Sequence, residues 1–407
     1  MKHRICIAAA ALLVLTGCGS GYTKQTTDLT AEIKNQPEAG MEKTDDFIDA
    51  QYRFTVAMMQ AGAKLHPQEN QLYAPYLAAQ TLLMAADGAA GETRDEILAV
   101  FGSSDSASLD RYLAGWRHSQ LASQLSTANS VWVKNTDAFA VKDSYLQTMH
   151  NTFEASVFSA AFDDATISDM NKWVSAQTDG AIPEIIQSFE PDEVLMLLSA
   201  GAFDAKWSDP FADNEVQNSL FYAANGTQQN VPFMRKEMDD AVYLETENAV
   251  GFMRNYKNNR YAFAALLPQD QTPDEYIADM TPEQLRAILL SGRQTEVDIF
   301  LPKFSFSQET DLKPLFQEMG IQLAYSTEEK ADFSGISEGK LFLNRSVQRT
   351  KIEVNEGGTN ATYALHLGAE ESACAEYRVS LNKPFLFVIY DREYGLPVLT
   401  GTVQSLE

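Results

Sequence analysis

The chain has 407 residues, 45% hydrophobic and 21% charged, enough for a sizeable core within one large domain. Its 31 basic and 56 acidic residues leave a net charge of -25, which argues against a nucleic-acid partner because phosphate binding needs clustered Lys and Arg. The acidity suits a soluble exported protein and names no substrate.

Lys2, His3 and Arg4 precede an apolar run, Ile5 to Leu15, that is too short to span a bilayer permanently. The run ends in Leu15-Thr16-Gly17-Cys18, a tetrad that resembles a bacterial lipobox. Residues 1–17 then read as a lipoprotein signal peptide. Cys18 would become the lipidated N-terminus, anchored to a membrane at a bacterial surface without crossing it. Residues 18–42 are polar with Gly, Thr and Pro, and are expected to form a flexible tether. Residues 43–407 show no internal repeat and no second linker, so they are expected to form one domain. Cys6 leaves with the signal segment and Cys18 carries lipid, so Cys374 has no disulfide partner.

Apolar spacing predicts a helix from Phe47 to about Ala63 and a buried helix over Ala78–Ala86. Thr93 to Glu96 reads as a capping box before Ile97, with Gly102 as the stop. Strands are predicted over Ser130–Lys134 and Val194–Ser199, the latter a continuous apolar run suited to burial on both faces. A helix over Met170–Gln177 lies between them. Tyr261–Leu267 and the alternating Val297, Ile299 and Leu301 are further strands. A helix from Thr310 or Asp311 to Met319 is expected to stop at Gly320. Pro384–Tyr390 and Leu396–Val403 flank DREYG as a terminal hairpin. Helices early and strands late indicate an α+β domain.

Catalytic constellations are missing from the sequence. It contains no H-E-x-x-H, C-x-x-C or P-loop motif. His66, His118, His150 and His366 have no neighbouring ligand at metal spacing, so neither a metal nor a cofactor is expected. Cys374 has no basic partner nearby in sequence. The sequons at Asn225, Asn344 and Asn360 carry no weight in a bacterial lipoprotein.

Several segments together resemble the serpin family. They are NQLYAPYLAAQTLLMAADGAAGETRDEIL, MNKWVSAQTDGAI, AGAFDAKWSDPF with Trp207, VDIFLPKFSFSQETDLKPLFQEMGI followed by ADFSGIS, KIEVNEGGT, and NKPFLFVIYD. They occur in the family's order from about Phe47 to Leu406. The resemblance implies a serpin fold: a central mixed β-sheet A with further sheets, about eight to nine helices, and an exposed reactive-centre loop over about 356–381. It implies no catalytic residues of the chain's own. The expected partner is a serine or cysteine protease that attacks the loop and forms an acyl-enzyme. The cut loop then enters the central sheet as a new strand and carries the protease with it. A monomer is expected. Where the family places a hydrogen-bonded Ser, Asn and His cluster under the opening point of the sheet, this chain has Ala74, Ser199 and Gln348. The cluster is either rebuilt with other polar atoms or partly lost.

Under the resemblance, Glu356, Gly357, Gly358, Thr359, Asn360 and Ala361 form the hinge of the loop. Beyond it, Thr359, Ala361, Tyr363, Leu365 and Leu367 share one face at period two, the pattern of a half-buried strand. Burying Tyr363, Leu365 and Leu367 would contribute on the order of 5–9 kcal/mol before entropy is subtracted. Tyr363 is large for this position, and its ring and hydroxyl must be accommodated. Family spacing counted from Glu356 puts the reactive bond at Ser372-Ala373, and counting back from Pro384 puts it at Ala373-Cys374. Either bond presents a small residue, which fits the shallow pocket of an elastase-like or subtilisin-like serine protease. The alternative is a non-inhibitory serpin acting as a decoy substrate or binding module.

Overall fold

The apolar run Leu195–Phe203 lies in the middle of the largest sheet, as its lack of alternation requires. The computed structural model describes residues 26–34, 36–120, 124–239, 241–326, 330–359 and 375–406. Over these residues the chain forms three sheets and nine α-helices. The strands of the largest sheet, numbered in chain order, are β1 (Thr27–Asp28), β2 (Leu125–Lys134), β3 (Ser156–Ala160), β4 (Leu195–Phe203), β5 (Ala205–Lys206), β6 (Phe304–Asp311), β7 (Arg345–Val354) and β8 (Gly358–Thr359). Across the sheet they run β1-β3-β2-β4-β7-β6, with β8 and β5 at one end of the β4–β7 seam. At that seam two parallel strands pair directly, Arg345–Lys351 beside Met196–Ala202.

Alternate residues of β4 serve two cores. Leu195, Leu197 and Phe203 join the main core, while Met196, Leu198 and Ala200 join a smaller one with Trp132, Phe158, Met170 and Trp173. Tyr261–Pro268, Phe385–Asp391 and Leu396–Val403 belong to a seven-stranded sheet, and the last two form the expected hairpin. A four-stranded sheet carries Tyr377–Ser380 beside Val297–Pro302.

Helix α1 (Asp45–Leu65) opens at Thr44, whose side chain accepts from the Phe47 N–H at 3.3 Å. Helix α2 (Pro75–Gly88) lies against the main-core face of β4 and is buried except at Asp87. Helices α3 (Gly91–Ala99) and α4 (Ser106–Ser119) follow. Asp87 faces Asp110 of α4. Burial and the neighbouring Asp87 carboxyl push Asp110 well above the usual carboxylate range, against the opposing pull of Arg94.

Three local expectations change. Thr93 does not cap α3, which begins at Gly91. Its hydroxyl accepts from the Asp332 N–H at 3.0 Å, and Glu96 accepts from the Gln322 and Leu323 N–H groups. Both side chains of the expected box therefore serve tertiary contacts. Thr310 and Asp311 belong to β6, held opposite Gln348 and Val347, so the following helix is only Lys313–Glu318. Gly320, at φ +107°, still ends that segment. Finally, the described part of the expected tether is docked. Thr27 and Asp28 pair with Ser159 and Phe158, Glu38 N–H donates to Asn151 O, and Met41 N–H donates to Arg111 O. Backbone pairing of this kind leaves no mark in a polar sequence. Residues 1–25, with Cys18, lie outside the described residues.

Candidate functional site

The site is the upper end of the β4–β7 seam and the turn that leaves β7. Asn355 ends the strand and organises this turn. Its Oδ1 accepts from the N–H groups of Gly357 (2.9 Å) and Gly358 (3.3 Å), a short side-chain turn that reverses the chain. Gly358 sits at φ +154°, and a Cβ there would lie 2.1 Å from Ala205 O, so only glycine passes. Trp207 clamps the turn from the β5 side. Its indole N–H donates to Asn355 O and its backbone N–H to Gly357 O, each at 2.9 Å. Phe211 N–H donates to Glu356 O at 3.0 Å. Glu356 also pairs with Lys303 Nζ at 2.7 Å.

Thr359 has already entered the sheet. It lies opposite Val354 on one side and Ala205 on the other, antiparallel to both, and is fully buried. Its hydroxyl shares a 2.5 Å hydrogen bond with the phenol of Tyr256, which stacks on Trp207 at 4.5 Å. Burial raises the pKa of that phenol far above its usual value, so it stays a neutral partner for the threonine. The Arg254 guanidinium closes the stack over Trp207 at 4.2 Å.

Lower down, the seam is shut by a row of polar residues in register. Thr310 of β6 lies opposite Gln348 of β7, Gln348 opposite Ser199 of β4, and Ser199 opposite Asn129 of β2. Gln348 reaches α2 with both ends of its amide. Oε1 accepts from Ala74 N–H at 2.9 Å, and Nε2 donates to Ala74 O at 3.1 Å. Asn129 donates to Gln80, which donates to the Tyr76 phenol. Ser199 Oγ, Asn129 Oδ1 and Thr310 Oγ1 have no hydrogen-bond partner among the described residues. Burying such groups without partners is costly, so the row is an under-satisfied bolt.

The structure thus brings Ala74, Ser199 and Gln348 together. Gln348 links β7 to Ala74 through both ends of its amide, and Asn129 and Thr310 extend the row. Glu356, Gly357, Gly358 and Thr359 sit at the seam. Asn360, Ala361, Tyr363, Leu365, Leu367, Ser372, Ala373 and Cys374 lie outside the described residues. Sequence reasoning missed Tyr256, Lys303, Asn129 and Thr310. The only legible signal was Asn129, a polar residue inside the strand LSTANSVWVK.

Residues 49–406 match the sequence model of the family described as Serpin (serine protease inhibitor). Alpha-1-antitrypsin of Sus scrofa is 28% identical over 368 residues, covering 86% of this chain and 85% of that protein. A crystal structure of the thermophilic serpin tengpin in the native state is 31% identical, with a TM-score of 0.88 over 94% of this chain and 100% of that chain. Tengpin in the latent state, also 31% identical, gives 0.77 over 90% and 100%.

Proposed function

The chain belongs to the serpin family, and from that premise we propose that it is a suicide-type inhibitor of elastase-like or subtilisin-like serine proteases. The protease serine oxygen adds to the carbonyl of Ser372, or of Ala373 if the bond lies one residue later. The peptide C–N bond breaks, and the leaving amine takes up the proton the serine gave up, which leaves an acyl-enzyme. The freed loop then inserts between β4 and β7 and displaces the attached protease. The observation that carries this reading is Thr359, already seated between Val354 and Ala205 where an entering strand must begin. Cys18 holds the inhibitor by lipid at a bacterial surface.

The test is incubation with subtilisin or pancreatic elastase. An SDS-resistant complex is expected, with mass spectrometry placing the cut after Ser372 or Ala373. Thr359→Arg should abolish the complex while the loop is still clipped, because an arginine has no space at this fully buried position. An active protease beside a merely clipped wild-type loop would overturn inhibition. That result would favour a decoy or binding module, a reading supported by the buried Gln348–Ser199 pair that an inserted strand would have to part. Labelling with palmitate, lost in Cys18→Ser, tests the anchor.

A further inference from the structure

From Val216 to Met234 the chain holds no charged residue, in a protein whose net charge is -25. The stretch folds as a hairpin, Val216–Tyr222 against Gln228–Met238. Val216–Tyr222 is also a border of the four-stranded sheet. Sheet borders commonly carry charge, which discourages a visiting strand. The opposite border, Tyr377–Ser380, has Arg378, and this one has no such residue. With Leu65 and Leu290, its Leu220 (40% exposed) and Tyr222 (42%) are the large apolar side chains left exposed among the described residues.

The outward backbone groups of this border follow from its register. Ala223 N–H donates to Thr227 O at 2.9 Å. Pro232 O, opposite Asn218, is turned the other way and accepts from Lys303 N–H at 2.9 Å. Bonded residues alternate in an antiparallel pair, so Ser219 and Phe221 bond to the neighbouring strand. Val216, Asn218, Leu220 and Tyr222 point their peptide groups outward, and at period two they also share one side-chain face. Val216 N–H donates to Asp213 O, and Tyr222 N–H to Asn382 O. The N–H groups of Asn218 and Leu220 have no partner among the described residues.

We propose that this border docks a second copy of the chain, with the two Val216–Tyr222 strands antiparallel about a twofold axis at Asn218. Such a contact uses the same patch on both molecules, so the strand must complement itself. In this register Asn218 N–H of each copy donates to Asn218 O of the other, and Leu220 N–H donates to Val216 O of the other. Both free donors are then satisfied. Leu220 lies opposite Val216 of the second copy, an aliphatic pair made twice, and the two Asn218 amides face each other. Moving the axis to Ser219 would set Asn218 against Leu220 and lose that match. No like charges meet, because Asp213 and Glu215 fall opposite Ala223 and Phe221. Net charge makes two copies repel, and an uncharged border is where their approach is least opposed. The monomer expected from the sequence is then the dilute form. This surface does not depend on the reactive loop or on its insertion.

The experiment is sedimentation velocity of the full chain carrying Cys18→Ser, so that no lipid contributes, over about 1–200 μM. The weight-average mass should rise from one chain toward two. Asn218→Lys sets two ammonium groups face to face on the axis and should hold the mass at one chain. Gln228→Lys adds the same charge one strand further in and should leave the rise in place. Asn218→Cys, combined with Cys374→Ser, should give a disulfide-linked pair under mild oxidation, and Gln217→Cys, on the other face, should link far more slowly. The cysteine pair keeps the proposal testable if the lysine variant fails to fold. A mass fixed at one chain, a mass that climbs past two, equal association in Asn218→Lys, or equal linking of the two cysteine variants would each overturn the proposal.

Discussion

The two ends of the β4–β7 seam are built differently. At the hinge end the strands are parted by β8, and the contacts are those of a clamp: Trp207, Tyr256, Asn355 and the Lys303–Glu356 pair. In the middle the strands pair directly, and a row of four polar residues crosses them with three atoms that have no partner among the described residues. The first end is well satisfied and already open. The second is closed and under-satisfied. Thr359 is the last described residue at the open end, and the polar row lies ahead of it along both strands.

The largest expected effect comes from the closed middle. Gln348→Leu keeps the volume but takes the acceptor from Ala74 N–H, and should cost about 1–3 kcal/mol in urea unfolding. Unchanged stability would mean that the row does not hold the seam. Next is Glu356→Lys, which sets two ammonium groups together at the clamp. It should cost about 1 kcal/mol and speed conversion of the intact protein to a loop-inserted form, followed by native gel. If conversion is no faster, the clamp does not arrest insertion. Tyr256→Phe removes the partner of Thr359 for about 0.5–1.5 kcal/mol, and hydrogen exchange at 357–359 should rise while that at 345–351 stays fixed. Exchange rising at both would erase the distinction between the ends.

The smallest effect lies away from the seam, at the other end of α2. Asp110 has a folded pKa above its unfolded value, so the folded state holds the extra proton. Its contribution is complete below the ordinary carboxylate range and is lost as pH rises toward the raised value. Asp110→Asn should flatten the decline of the urea midpoint from pH 5 to pH 8. An unaltered slope would place the pH dependence elsewhere, including the seam.

The order of elements and the hinge glycines were legible because they rest on local patterns. Trp207 and the Gly357-Gly358 pair stood out within their own segments. The clamp was not legible, because its key bond joins Tyr256 to Thr359, 103 residues apart. Tyr256 reads as any strand aromatic until that distance is closed. Asn129 and Thr310 gain meaning only from register, which places them in line with Ser199 and Gln348 across four separate strands. Thr93 and Glu96 mislead for the opposite reason: their spacing fits a local cap, and tertiary partners claim both side chains.

A sheet border that shows unpaired amides is a template on which copies of a chain can pair, so the two borders of the largest sheet matter as much as its seam. The short β1 occupies the outer side of β3, so that border offers no free row of amides over Phe158 and Ser159. The far border, β6, turns Ser305, Ser307, Glu309 and Asp311 outward, and their charge and polarity discourage a visiting strand. The segment at 27–28 thereby covers amides of β3 that a bare border would offer to another chain.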